Sequence, residues 1–234
     1  MVFREYNEQR KEKMKNIFAA LVIMLASINL AVAQNGIFIE QIGNSATIDL
    51  EQTGSSNKIG SSINSPASSN GNSNSITVNQ VGDNNESTFA IKGSNNTYTS
   101  SITGDTNTTQ LTCGDNTTSC SSATITETIV GNLNSLIQTI KGAGISSTVS
   151  ISGSSNSVTT NITQPNSTSN IGITGNSNTV DSTMNATGGT GSTLGVNITG
   201  SSNQVTTAQG GTIDSNVRVT VTGTSNSVTV RTTN

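Results

Sequence analysis

Single apolar residues alternate with Ser, Thr and Asn along most of this chain. Val158, Thr160 and Ile162 fall on one phase of the alternation, with small polar residues between them. A two-residue period over about five to seven positions is typical of a β-strand that buries one face, and branched side chains pack well on a pleated surface. No sustained helical period follows Gln34. The pattern therefore predicts an all-β structure.

Turns of the form Gly-x-x-Asn separate these strands at regular intervals. From Gly71 to Gly104 the glycines of the motif are 11 residues apart, and from Gly131 onward the intervals are 22, 22, 25 and 23 residues. Because the longer interval is about twice the shorter, one strand plus one turn is the repeating unit, and two units make one coil. The sequence predicts a β-solenoid of about nine two-strand coils with repeats of 11 and 22 residues.

Equivalent positions of successive coils should stack in columns. We expect one core column, formed by Val158, Val180, Val205 and Val228. Gly suits the turns because it adopts positive φ freely, and Asn because it tolerates the left-handed region and bonds nearby backbone. Stacked Asn side chains lie one strand spacing apart and should form a hydrogen-bonded ladder. The ladder residues are Asn57, Asn74, Asn85, Asn96, Asn107, Asn134, Asn156, Asn178, Asn203 and Asn226.

The first 33 residues differ from the rest of the chain. Five Lys or Arg residues precede an apolar run from Ile17 to Ala33, which ends in Ala31-Val32-Ala33, a small-x-small cleavage site. This layout predicts a secretory signal peptide over residues 1–33, with Gln34 as the mature N-terminus. Met14 is an alternative start of translation. A membrane anchor is the competing interpretation, because the apolar run approaches spanning length.

Composition limits what the mature domain, residues 34–234, does. The chain is 30% hydrophobic and 10% charged, against roughly 45–50% and 25% in ordinary globular domains. Such a chain cannot build a thick core, so a thin stacked β structure is expected. Residues 34–234 carry five basic and ten acidic residues, a net charge of −5. Since the basic residues form no patch, we expect no nucleic-acid partner, and no membrane contact after leader removal.

No catalytic or metal-binding constellation is visible in the sequence. His is absent, and His is the commonest general base and the commonest metal ligand. The acidic residues are scattered over different coils, so we expect a protein that is not an enzyme and has no metal and no cofactor. Glu127 falls on the inward phase between Ile125 and Ile129. An edge or bulge position is the preferred interpretation, and a functional buried acid is the alternative.

The two cysteines lie close together. Cys113 and Cys120 enclose a polar segment, residues 114–119. In an exported chain, two such cysteines favour a disulfide that closes a short loop, which should protrude at a turn. Two free thiols are the alternative, and metal binding by two thiols without His is not expected.

Two segments carry a family resemblance. Residues 37–57 and 74–85 follow the pattern apolar-x-apolar-x-Gln-x-Gly, with Asn at or near the end of the turn. They resemble the repeat of curlins, which are exported subunits of amyloid surface fibres. The inward Gln residues of the pattern are Gln41, Gln52 and Gln80. The resemblance is close over residues 37–92 and looser beyond, where the inward Gln is lost but Gly-x-x-Asn persists.

The resemblance implies a structural protein of the bacterial cell surface or extracellular matrix, acting in adhesion and biofilm formation. Its partner would be a second copy of itself, added head to tail, with a nucleator subunit and an outer-membrane secretion channel as further partners. The strands at both ends would present unpaired backbone groups, which are templates for another chain. Glu40 near one end and Arg231 near the other have opposite charges that would attract across such a junction.

Two other functions remain open. A monomeric solenoid adhesin or phage-appendage protein would use the same coils with capped ends. An ice-binding solenoid would present ranks of outward Thr on a flat face, and Thr159, Thr206 and Thr229 belong to such a rank, which Asp181 interrupts.

Overall fold

The computed structural model describes residues 34–185 and 189–233, and these residues form two parallel β-sheets without a helix. The strands are numbered in chain order. Sheet A contains β1 (Gly36–Ile37), β2 (Ile39–Ile42), β4 (Lys58–Ile59), β5 (Ala67–Asn70), β7 (Glu86–Lys92), β9 (Thr108–Thr112), β11 (Ser135–Ile137), β13 (Ser157–Ile162), β15 (Thr179–Met184), β17 (Gln204–Gly210) and β19 (Ser227–Thr233). Sheet B contains β3 (Thr47–Thr53), β6 (Ser75–Val81), β8 (Thr97–Thr103), β10 (Thr124–Val130), β12 (Ser146–Ser152), β14 (Thr168–Asn170), β16 (Thr193–Thr199) and β18 (Asn216–Thr222).

The chain alternates between the two sheets, so each coil has one rung in sheet A and one in sheet B. The 8-stranded sheet B corresponds to eight full coils, and β19 adds a further half coil. This confirms the predicted β-solenoid, with close to the nine coils expected. At about 4.8 Å per rung, the rod is roughly 40 Å long. The predicted signal peptide, residues 1–33, and the alternative start at Met14 lie outside the described residues.

The register follows the repeat length. Val158 pairs with Val180, Val180 with Val205, and Val205 with Val228, which is the predicted core column. The same column continues towards the N-terminus through Leu136. Because strands one coil apart share the same inward phase, apolar side chains stack on apolar side chains along the rod. The core is therefore a thin layer of Val, Ile and Leu between the two sheets.

The turns explain the Gly-x-x-Asn motif in a way that only partly matches the prediction. Gly82 has φ +117°, and a Cβ there would lie 2.1 Å from the carbonyl oxygen of Gly104 in the next coil. Glycine is thus required by conformation and by the close stacking of coils. The left-handed residue is not Asn but the one before it, such as Ser155 (φ 58°). The expectation that the motif's Asn occupies the left-handed region is wrong, and its hydrogen bonds are its function.

Glu127 lies at a regular position of β10 and is fully buried, with 0% of its surface exposed. The edge or bulge position preferred from the sequence is therefore wrong. Its column partners Ser100 and Val149 show that the strand keeps its register at this residue. Among the described residues, no helix is long and apolar enough to cross a membrane.

Candidate assembly surfaces

A continuous asparagine ladder runs along the edge where each sheet B strand turns into the next sheet A strand. The side chain of Asn156 shows the repeating unit: its Nδ2 donates to the Oδ1 of Asn134 (3.1 Å) and to the carbonyl of Gly175 (2.8 Å). Its Oδ1 accepts the backbone N–H and the Nδ2 of Asn178, both at 3.0 Å. Each buried Asn therefore bonds the coils before and after it, and the ladder fastens the coils together.

The ten predicted Asn residues do not form a single ladder. Asn74 and Asn96 stack on each other along the opposite edge, where Asn96 Oδ1 accepts the N–H of Ala123 at 3.0 Å. That second ladder stops there, because later coils carry Ile145 or Ser167 at the equivalent turn position. The other eight share the first edge: Asn57, Asn85, Asn107, Asn134, Asn156, Asn178, Asn203 and Asn226.

Asn35 begins the first ladder and was missed from the sequence. Its Oδ1 accepts the N–H of Asn57 at 2.9 Å and its Nδ2 donates to the carbonyl of Gly54 at 3.0 Å. Sequence reasoning missed it because no Gly stands three residues before it. The position immediately before Gly36, which starts β1, was the available signal, since every other ladder Asn also directly precedes a sheet A strand.

The inward glutamines differ in environment. Gln52 Nε2 donates to Gln80 Oε1 at 2.8 Å, and Gln80 is fully buried and donates to the carbonyl of Lys58 at 3.1 Å. Gln41 pairs in register with buried Ser69, so its position has the inward phase. Its side chain is nevertheless exposed, and its amide donates to the carbonyl of Gly43 at 2.8 Å. Gln41 is exposed because it belongs to the first described rung of sheet A, which has no coil stacked on its outer side.

The N-terminal end of the rod exposes apolar side chains of its first coil. β1 and β2 pair only with β4 and β5 in the described part of the chain, and β3 pairs only with β6. Ile37, Ile39 and Ile42 are 47%, 39% and 51% exposed, and Ile48 and Leu50 are partly buried. Residues 36–42 run as one extended segment, because Phe38 joins the two strands through its N–H bond to Ile59 at 2.8 Å.

The C-terminal end has the complementary form. β19 pairs with β17 alone and β18 with β16 alone among the described strands. Val228 and Val230 of β19 are half-buried, although the same column is fully buried at Val205. A sheet edge of this kind presents a row of backbone N–H and C=O groups and adds another strand readily. Both ends of the described rod are therefore open to stacking.

A disulfide-closed loop stands on the edge opposite the long ladder. Cys113 and Cys120 form a disulfide with Cα atoms 5.3 Å apart, within the usual range, and both cysteines are buried. The loop contacts the coils on either side: Lys92 donates to Asn116, and the ammonium of Lys141 lies 2.9 Å from the carboxylate of Asp115. Hydrogen bonds from Lys141 and Thr117 keep the pKa of Asp115 well below its usual value. The loop is thus a fastened projection.

The buried carboxyl of Glu127 has its own hydrogen-bond network. Tyr98 donates its hydroxyl to Oε2 at 2.8 Å and Gln138 donates its amide to Oε1 at 2.7 Å. Gln138 in turn accepts from Ser147 at 2.8 Å. Burial raises the pKa of Glu127, partly offset by these donors, and burial together with Glu127 raises the pKa of Tyr98. This network satisfies polar groups inside the core and is closed to a substrate. Within the described residues, no group of three or more acidic or Cys side chains could hold a metal ion.

The outward face of sheet B carries a rank of threonines that was not recognised from the sequence. Thr77, Thr99, Thr126 and Thr148 pair in register on four consecutive strands. Thr97 and Thr124 extend the face by a second column. In sheet A, Asp181 pairs with Thr159 and Thr206, so the rank there is interrupted as predicted.

Comparison with known proteins gives one family match. Residues 71–99 match the family model described as the curlin associated repeat. The matched segment runs from the turn at Gly71 through β6 and β7 into β8, and it includes Gln80. The resemblance to curlins is thereby confirmed for this part of the chain, and residues 37–57 lie outside the match. No curated protein matches the chain.

Proposed function

We propose that residues 34–234, exported and freed of the leader, are the subunit of a curli-like amyloid fibre of the bacterial cell surface or extracellular matrix. Copies add head to tail, and the fibre serves adhesion and biofilm formation. A nucleator subunit and an outer-membrane secretion channel are the partners that the resemblance implies. The curlin repeat at residues 71–99 and the solenoid fold support a structural subunit.

One observation carries this proposal: the two ends of the rod match each other. β19 and residues 36–42 occupy the same columns of sheet A, and β18 and β3 occupy the same columns of sheet B. In the polymer, inward Val228 would cover Ile37 and Val219 would cover Leu50, so the apolar residues exposed at one end would be buried by those at the other. A contact between two different surfaces does not close on itself, so it produces a filament.

The test is assembly of purified residues 34–234, followed by light scattering, amyloid-dye fluorescence and fibre diffraction. We expect dye-positive fibres with a strand-spacing reflection near roughly 4.7–4.8 Å along the axis. A chain that stays monomeric and dye-negative for days at high concentration would overturn the proposal and favour the monomeric adhesin or phage-appendage protein.

A proline at Thr229 is the sharpest variant for this test. Gln204 donates its N–H to the carbonyl of Asn226 at 2.8 Å, so alternate residues of β19 bond β17 and the N–H of Thr229 points to the open side. Thr229→Pro removes an outward donor without breaking a bond inside the rod. We expect the variant to fold with the circular dichroism of the wild type and to elongate at least about tenfold more slowly. Thr159→Ala, at the equivalent outward position of β13, is the control.

Ice binding is a second candidate, favoured by the threonine rank of sheet B. Thr99, Thr126 and their neighbours repeat at about 4.8 Å between rungs on an extended face. Regularly spaced hydroxyl and methyl groups on such a face order water. Thermal hysteresis of the purified domain, abolished by Thr126→Glu, would support this function, and freezing without hysteresis would remove it.

A further inference from the structure

Two outward columns of the solenoid begin with a carboxylate and end with an arginine. In sheet A, Glu40 starts a column that passes through Ser68 and Ala208 and ends at Arg231. In sheet B, Asp49 starts a column that passes through Thr77 and Gly195 and ends at Arg218. Arg218 and Arg231 are the two arginines of residues 34–234.

We propose that these terminal charges determine the polarity and the register of the head-to-tail junction, with a second copy of this chain as the partner. Arg231 of one copy pairs with Glu40 of the next, and Arg218 pairs with Asp49. This inference rests on the proposed fibre function and states which residues make the junction specific.

The register of the junction follows from the register inside the rod. Asn35 and Asn226 stand at the two ends of the same ladder. When the ladder continues into the next copy, Asn226 Oδ1 accepts from Asn35 of that copy, and the columns of sheet A continue in step. Arg231 then lies directly opposite Glu40, one strand spacing away, about 4.8 Å between backbones.

Sheet B gives the same result independently. β3 and β18 are both seven-residue strands in one continuous set of columns. Stacking β18 on β3 of the next copy sets Val217 over Ile48, and Arg218 over Asp49. Glu51 lies two residues further along the same outward face of β3 and adds negative charge beside the same arginine.

The charges discriminate against the wrong junctions. Glu40, Asp49, Arg218 and Arg231 are all exposed, and the residues between them in both columns are uncharged. Opposite charges directly across paired strands are favourable and like charges are unfavourable. Two N-terminal ends would bring carboxylates together, and two C-terminal ends would bring arginines together. A slip of one residue would also turn the inward side chains outward.

Electrostatic complementarity of this kind acts on specificity and on the rate of association more than on affinity. The expected signature is therefore kinetic. Elongation from wild-type seeds should slow as salt is added, because exposed charges are screened over about 8–10 Å at physiological ionic strength.

A charge-swap experiment tests the proposal. One variant carries Arg218→Glu and Arg231→Glu, and the other carries Glu40→Lys and Asp49→Lys. We expect each variant alone to elongate at least about tenfold more slowly than the wild type, because each would stack like charges. An equimolar mixture restores opposite charges at every mixed junction and should recover elongation to within about threefold of wild type.

Two controls separate the junction from general effects. Asp181→Lys reverses an outward charge in the middle of the rod and should elongate at the wild-type rate. Circular dichroism of each monomeric variant should equal that of the wild type. Wild-type fibres together with unimpaired swap variants would overturn the charged junction and leave the fibre function standing, as would a mixture that fails to recover. A wild type that forms no fibres would overturn both.

Discussion

Removing one rung of the asparagine ladder should destabilise the solenoid strongly. Asn156 lies in the middle of the long ladder and is 1% exposed. Asn156→Ala removes two donated bonds, to Asn134 and Gly175, and two accepted bonds, both from Asn178. It also leaves the buried N–H of Asn178 without its acceptor.

The magnitude follows from these four bonds. A hydrogen bond contributes about 1 kcal/mol net, and a buried group left unsatisfied costs about 1–3 kcal/mol. Asn156→Ala should therefore lower the free energy of unfolding by about 3–5 kcal/mol. Asn156→Ser should lose about 2–3 kcal/mol, since its hydroxyl retains an acceptor. On the opposite edge Ser167 Oγ accepts the N–H of Ser192 at 3.1 Å in this way.

The assay is guanidinium denaturation of residues 34–234 at low protein concentration, before assembly, followed by circular dichroism. Tyr98 is the single tyrosine of this segment and is fully buried, so its fluorescence reports the same transition. Asn197→Ala is the control, because Asn197 is an exposed outward residue of β16 and should change stability by less than about 0.5 kcal/mol. If Asn156→Ala were as mild as Asn197→Ala, the ladder would not be what fastens the coils.

Three further changes have defined outcomes. The raised pKa of Glu127 means that the folded state keeps a proton above the unfolded pKa of about 4.3, so stability should fall as pH rises from there; melting temperatures of Glu127→Gln should lack this decline, and parallel pH profiles would contradict the burial effect. Cys113→Ala with Cys120→Ala should lose about 2–3 kcal/mol in denaturant, because the unfolded chain gains freedom, and an unchanged midpoint would argue against this. Gly82→Ala should lose more than about 1 kcal/mol because of its positive φ, whereas Gly195→Ala, with nothing within 4 Å of the new Cβ, should be neutral or stabilising; equal effects would refute the steric argument.

The fold was predictable because the repeat carries it. Each strand's alternation sets which residues face inward, and the 22-residue interval sets which residues stack. The column of Val158, Val180 and Val205 follows from those two facts alone. Sheet B's threonine rank follows from them as well, but it becomes visible only when the strands are assigned to two sheets.

The site was less predictable where side chains meet across coils. The motif Gly-x-x-Asn occurs on both edges, so counting it merges two ladders that the structure separates at Asn74 and Asn96. Asn35 lacks the motif and was missed. Glu127 looked like an irregularity of its strand, because a buried carboxyl is unfavourable without partners. Its partners Tyr98 and Gln138 are 29 and 11 residues away in sequence and meet it only inside the folded coil.

The sequence by itself determined the strand period, the coil length and the residues of the core column, because these depend on local alternation and on spacing. The tertiary structure decided which coil lies opposite which, and with it the partners of every long-range polar contact. Glu40 and Arg231 are far apart in sequence, yet they share one column. Parallel in-register stacking gives every residue of a strand a neighbour one coil away, and only that stacking shows that the two ends of the rod carry opposite charges in the same columns.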